Sequence, residues 1–314
     1  MRTARHPFKK SLLGAAALLV VGAAPVDGAL GASCTWIPAN GNWGGSGNWS
    51  CGQVPTGPNI DIANIGSGKT VTVNTSQSIF TLNNAGTINI DAFLLALQAG
   101  GSTTNTGTIN IGSATTASLQ MSNDVNNAGG VINIANGSFL NQFSNTLSGG
   151  TINTAGTGAV VALSNGSNIL SGVTLNGLLD VSTSANARER ITNGATINGT
   201  VNIGNGGILA LDSVGTSGGN QTISGTVSIN LNDPGARLSV EGTGTTTLAS
   251  GVTVHGQGNI GTALFAGGNN LLINKGLISA DVNGGTLSIT PPGGSGSFTN
   301  AGTLRAINGG TLRL

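Results

Sequence analysis

A five-residue phrase, Gly-Thr-Ile-Asn-Ile, recurs through this chain at an interval that admits few folds. It stands at Gly86-Thr87-Ile88-Asn89-Ile90 and again at Gly107-Thr108-Ile109-Asn110-Ile111. It returns as Gly130-Val131-Ile132-Asn133-Ile134 and Gly150-Thr151-Ile152-Asn153-Thr154, so that the first isoleucines are 21, 23 and 20 residues apart. Looser copies follow at Val173-Thr174-Leu175-Asn176, Ala195-Thr196-Ile197-Asn198, Gly225-Thr226-Val227-Ser228-Ile229 and Gly251-Val252-Thr253-Val254. The last are Gly276-Leu277-Ile278-Ser279 and Gly302-Thr303-Leu304-Arg305. A unit of this size cannot bury an apolar face alone, and a fixed period is the mark of units stacked on one another.

Within each copy apolar and polar residues alternate. Ile88 and Ile90 therefore face one way, and Thr87 and Asn89 the other, as in a half-buried strand of β-branched residues. The preceding glycine is expected to supply a turn. A second set of short strands is expected to place Leu95 with Leu97, Leu119 with Met121, Val161 with Leu163, Leu179 with Val181, Leu209 with Leu211, and Leu238 with Val240 on shared faces. Asp91 to Ala99 suits a short helix by pattern, or equally a strand holding Leu95 and Leu97. Two or three such strands with their turns fill one coil. The prediction is all-β: a single-stranded, parallel, right-handed β-helix solenoid of about ten coils of 20–30 residues. A disordered Gly/Asn/Ser-rich tract would give isoleucine and leucine no reason to recur in register.

Three segments follow from composition. Residues 1–32 read as a signal peptide, with Arg2, Arg5, Lys9 and Lys10 ahead of an apolar stretch from Leu12 to Ala24 and a cleavage site after Gly28 or Ala32. That stretch is too short to span a bilayer comfortably. The leader takes four basic residues and Asp27 with it, leaving seven Lys and Arg against nine Asp and Glu. So even a balance offers no field for nucleic acid or an anionic membrane. Residues 33–69 hold all three tryptophans (Trp36, Trp43, Trp49) and both cysteines. In an exported chain the pair Cys34 and Cys51 is expected to form a disulfide, worth about 3 kcal/mol by loop closure. An open solenoid end needs covering, and large rings suit a cap; a sugar-stacking platform is the alternative. Residues 70–314 carry the coils.

The leader, the Trp-x6-Trp-x5-Trp entry and the Gly-Thr-Ile-Asn-Ile coils together resemble a bacterial surface β-helix, nearest to the passenger regions of autotransporter and filamentous-haemagglutinin-like adhesins. That resemblance covers about residues 34 to 314. It implies a rod exposed at the outer-membrane surface of a Gram-negative cell or shed from it, used in adhesion or matrix building. One departure stands out. An autotransporter also carries a C-terminal membrane barrel with aromatic girdles, whereas this chain has no tyrosine and Phe298 is its last aromatic residue.

A ligand site, if any, is expected in mid-chain, where the coils lengthen to 29–30 residues between Val181 and Val240. The extra residues are read as polar loops at 182–190, 212–222 and 232–237, carrying Arg188, Glu189, Arg190, Asp212, Asp233 and Arg237. Stacking would bring Glu189, Asp212 and Asp233 to one side of the rod, where repeat proteins bind. Ordinary solvated charge is the plainer account of these residues.

Other chemistry finds little material. His255 is the only histidine after the leader, which leaves almost nothing for a zinc site or a nucleophile–histidine pair. Gly66-Ser67-Gly68-Lys69-Thr70 lacks the first glycine of a phosphate loop, and a strand rather than a helix follows it. No cofactor or metal is expected. The expected role is structural or adhesive and non-catalytic, with a surface glycan or matrix polymer as partner; the alternative is a carbohydrate-active or polysaccharide-binding protein using the three loops. At the C-terminus, Asn283-Gly284-Gly285-Thr286-Leu287 returns as Asn308-Gly309-Gly310-Thr311-Leu312 with no cap-like residues after it. The expectation there is a truncated passenger, or an end that self-associates through Leu304 and Leu312.

Overall fold

The computed structural model describes residues 31–112, 116–163, 166, 168–213, 219–292 and 296–314. The expected leader lies outside them except for Gly31 and Ala32. Every strand-to-strand ladder between the coils is parallel, and the described residues contain no α-helix. The chain is an all-β parallel solenoid of about ten turns with a Trp/Cys cap. The stretch around Leu95 resolves as the strand Leu94–Leu97.

Each coil contributes to three parallel sheets. Sheet I holds the repeated phrase: Thr70–Val73, Thr87–Ile90, Thr108–Ile111, Val131–Ile134 and Thr151–Thr154 pair in register, which stacks Val71, Ile88, Ile109, Ile132 and Ile152 in one buried column. Sheet II runs through Gln77–Ile79, Leu94–Leu97, Ser118–Met121, Phe139–Gln142 and Ala159–Ala162. Sheet III runs through Ser33–Thr35, Ile62–Ile65, Thr81–Asn84, Ser102–Asn105, Asp124–Asn126 and Thr146–Ser148. From Asn168 onward the corners tighten and strands fuse. Asn168–Val181 and Arg188–Ile203 each pass through all three sheets.

Two registers differ from the sequence reading. The copies of the phrase do not form one column. Those at 174–176 and 195–198 lie in sheet I, but Val227–Ile229 pairs with residues 199–201 of sheet II, and the copies at 252–254, 277–279 and 303–305 stack on it there. An alternating strand with β-branched inward residues serves any of the three sheets equally well. The second case is Val161 and Leu163: it is Val160 and Ala162 that stack on Leu140 and Gln142 and face the core. With a side-chain period of two, a one-residue slip exchanges the faces.

The glycine that opens the phrase has the backbone freedom expected of a turn at Gly150 (φ 69°) and Gly225 (φ 93°), and a second task at other copies. Gly86, Gly107 and Gly130 are not in the left-handed region. A Cβ on Gly107 would lie 2.1 Å from Gly86 O, and one on Gly130 2.3 Å from Asn105 O. Glycine is needed there because successive coils approach too closely for any side chain.

Asparagine binds the coils from outside and inside. On the outer face of sheet I, Asn110 donates to Asn89, Asn133 to Asn110 and Asn153 to Asn133 at 2.8 Å, then Asn176 to Asn153 and Asn198 to Asn176 at 2.9 Å. At a buried corner, Asn84 donates to Asn105, and Asn105 to Asn127, both at 2.7 Å. Identical amides stacked at the inter-strand spacing fall within hydrogen-bonding reach of each other.

At the N-terminal end Cys34 and Cys51 are bonded. Trp36, Trp43 and Trp49 pack edge to face, with Trp49 centred 5.0 Å from Trp36 and 4.9 Å from Trp43. Trp49 Nε1 donates to Trp43 O at 2.9 Å. Their exposure of 0–2% leaves no ring face for a sugar, so they act as a cap. The cap is itself an incipient coil, since Ser33–Thr35 pairs with Ile62–Ile65 and Asn40–Asn42 with Thr70–Val73. At the other end Phe298, Leu304 and Leu312 are partly buried against the core. No helix among the described residues is long and apolar enough to cross a membrane.

Candidate functional site

The six charged residues expected in mid-chain loops lie in strands. Arg188, Glu189 and Arg190 open the strand Arg188–Ile203, Asp212 closes Ile208–Asp212, and Asp233 and Arg237 sit within Val227–Glu241. Glu189 and Asp212 have 0% exposure and Arg188 8%, so the solvated-loop reading does not hold for them. Nor do Glu189, Asp212 and Asp233 share a side. Asp212 is in register with Glu241, Glu189 with Leu209, and Asp233 accepts from Gly206 N and Gly235 N at a corner.

Arg188, Arg190, Asp212 and Glu241 point outward from sheet III, and the structure joins them in two ion pairs. Arg188 Nη2 lies 3.0 Å from Glu241 Oε2, and the Arg190 guanidinium donates through Nε (2.9 Å) and Nη2 to Asp212 Oδ2. Glu241 also accepts from Ser239 Oγ at 2.9 Å and Ala266 N at 3.0 Å. The Gln221 amide, turned with its nitrogen toward Ile191 O (3.1 Å) and its oxygen toward Asp212 N (3.0 Å), closes one side. Phe265 lies over the Arg188 guanidinium at 3.7 Å, a cation–π contact. Thr262, Phe265 and Ala266, in the connection after Gly261, contact this outward face. Burial pulls Arg188 below its usual range while Glu241 opposes that pull. Glu241 escaped the sequence reading, although its distance of 29 residues from Asp212, one long coil, was the available signal.

Glu189 points the other way, into the core, between its register partners Asn168 and Leu209. Neither carboxyl oxygen has a hydrogen-bond partner, and burial raises its pKa well above the ordinary glutamate value. An unpaired carboxyl in such surroundings is held as the neutral acid. These groups brace three coils; of the six charged residues, Arg190, Asp233 and Arg237 stay partly exposed.

The flank of sheet II carries a different arrangement. His255 lies on the strand Val252–Gly261, in direct register with Asn230 on one side and Ser279 on the other. Its ring reaches diagonally to both neighbouring coils. Nε2 is 3.0 Å from Ser228 Oγ, and Nδ1 is 3.1 Å from Asp281 Oδ2. The His255 side chain is 34% exposed and that of Asp281 22%. The three border an open surface cavity of about 410 Å³, with Thr226, Thr253 and Arg305 on its walls. Sequence alone gives His255 no partner; the stacking supplies two, and the serine–histidine pairing discounted above is present. Ser228 Oγ is also 2.7 Å from Asn230 Oδ1, whose amide nitrogen donates to Asn202.

Comparison of the chain with protein-family models, with curated proteins and with solved structures finds no match.

Proposed function

We propose that this protein is an exported rod at the surface of a Gram-negative cell, or shed from it, with a structural or adhesive role. The observation that carries this reading is the unbroken parallel stacking of about ten coils beneath outward columns of asparagine, threonine and serine. Such a stack holds its length because each coil is pinned to its neighbours by backbone ladders and amide columns. The Cys34–Cys51 bond supports an oxidising compartment. Its partner in this reading is a surface glycan or matrix polymer lying along the rod, or a second copy meeting the last coil. A shallow cavity of about 380 Å³ beside the column Asn110, Asn133, Asn153 favours the glycan, because amides with spare donors and acceptors next to apolar surface suit a sugar chain.

The charged-loop alternative is less favoured because Arg188, Glu189 and Asp212 are buried, which leaves it Arg190, Asp233 and Arg237. The test is made on producing cells. Protease added to intact cells should remove the protein, and its deletion should reduce attachment or matrix formation. A protein confined to the cytoplasm, with Cys34 and Cys51 reduced, would overturn the proposal.

A further inference from the structure

We propose that Ser228, His255 and Asp281 form a hydrolytic site on the flank of the rod, with Ser228 the nucleophile toward acyl esters on an anionic carrier. This goes beyond the scaffold reading and does not depend on it.

The argument begins with the two ring nitrogens. Nδ1 faces a carboxylate at 3.1 Å, so the tautomer that carries its proton on Nδ1 pairs with Asp281 and presents Nε2 as an acceptor 3.0 Å from Ser228 Oγ. A nucleophile within hydrogen-bond reach of a base, with the base oriented by a third group, is the arrangement that activates a hydroxyl. Three successive coils hold it: Ser228 and His255 sit on directly paired strands, and Asp281 follows at once on the end of the next, Leu277–Ala280. Ser228, His255 and Asp281 are each partly exposed at the cavity, so a substrate can reach them.

The Ser228 hydroxyl has one proton and two acceptors within reach. Directed at Asn230 Oδ1 it rests; directed at His255 Nε2 it is armed. In the reaction Ser228 Oγ bonds to the acyl carbon while its proton passes to Nε2. The ester carbon–oxygen bond breaks, and Nε2 returns that proton to the leaving alkoxide. Water then attacks the acyl-serine, losing its proton to Nε2, and releases the carboxylic acid as Oγ is reprotonated. Arg305 stands on the cavity wall, its Nε donating to Ser279 Oγ at 3.0 Å. Its charge selects a carrier with a carboxylate or similar anion. Asp281 is a positioning residue, acting through His255.

The test treats the whole chain with a fluorophosphonate and maps the adduct by mass spectrometry, then follows 4-nitrophenyl acetate and its carboxylate-bearing analogue. The expected adduct is on Ser228, and its rate should drop about 100-fold or more in His255→Gln. Ser228→Ala, a change of one atom, should keep the circular dichroism of the wild type and abolish ester turnover. Asp281→Asn should slow labelling and remove the low-field imidazole N–H proton resonance of His255. The carboxylated ester should react faster, and Arg305→Gln should erase that preference. An unlabelled Ser228 in the folded chain, or undiminished turnover in folded Ser228→Ala, would overturn the site and leave a structural hydrogen-bond chain. Equal rates on the two esters would overturn the assignment to Arg305.

Discussion

Asn110 Nδ2 donates to Asn89 Oδ1 at 2.8 Å, one coil away, and its own Oδ1 accepts from Asn133 at the same distance. The fourth residue of the repeated phrase is therefore a rivet between coils. Asn110→Ala removes two amide bonds on a partly solvated face and should cost about 1–2 kcal/mol. Asn105→Ala, at the buried corner, strands Asn127 Oδ1 and should cost about 2–4 kcal/mol. Urea unfolding followed by hydrogen exchange ranks the two; equal costs would refute the distinction.

Glu189 predicts an inverted pH dependence. Its folded pKa is raised above the ordinary 4.5 by burial, so the folded state holds a proton that the unfolded state releases. The group's contribution is most favourable below pH 4.5. It is lost as pH rises from there toward the folded pKa, at up to about 1.4 kcal/mol per pH unit. Glu189→Gln should flatten this dependence and stabilise the chain at neutral pH. A wild-type stability that rises from pH 5 to 8 by the same slope as the variant would contradict the assignment.

The pair Arg188 and Glu241 is buried, and removing one partner should hurt more than removing both. Arg188→Met leaves Glu241 charged without its cation and should cost about 3–5 kcal/mol. The double variant Arg188→Met with Glu241→Leu should recover most of that loss. A double-mutant cycle showing simple additivity would mean the pair is not coupled.

Gly107→Ala tests the close approach of coils. With its Cβ 2.1 Å from Gly86 O, the coils must part locally, at about 1–3 kcal/mol. The corresponding change at Gly66, which has nothing within 4 Å, should be near neutral. Thermal melts of the two variants decide; matching melts would show that the coil spacing is slack.

Local pattern determined much of this protein. The alternation of Ile88 and Ile90 with Thr87 and Asn89, repeated every 20-odd residues, was enough for parallel coils, for the inward isoleucines and for a solenoid with little helix. Composition alone marked the Trp/Cys segment as the cap, and two cysteines left one pairing. What the pattern could not carry was the third coordinate. Val227 and Ile88 sit in equivalent phrases yet in different sheets, because the phrase specifies inward and outward but not which of three sides it occupies. Arg188 reads as surface charge until Glu241 pairs with it and Phe265 lies over it. His255 lies 27 residues from Ser228 and 26 from Asp281, and coils of unequal length hide such pairings from any fixed period. Strand periodicity is written in neighbouring residues, where it can be read directly. Contacts between coils depend on how many residues each corner uses, and only the folded chain decides that.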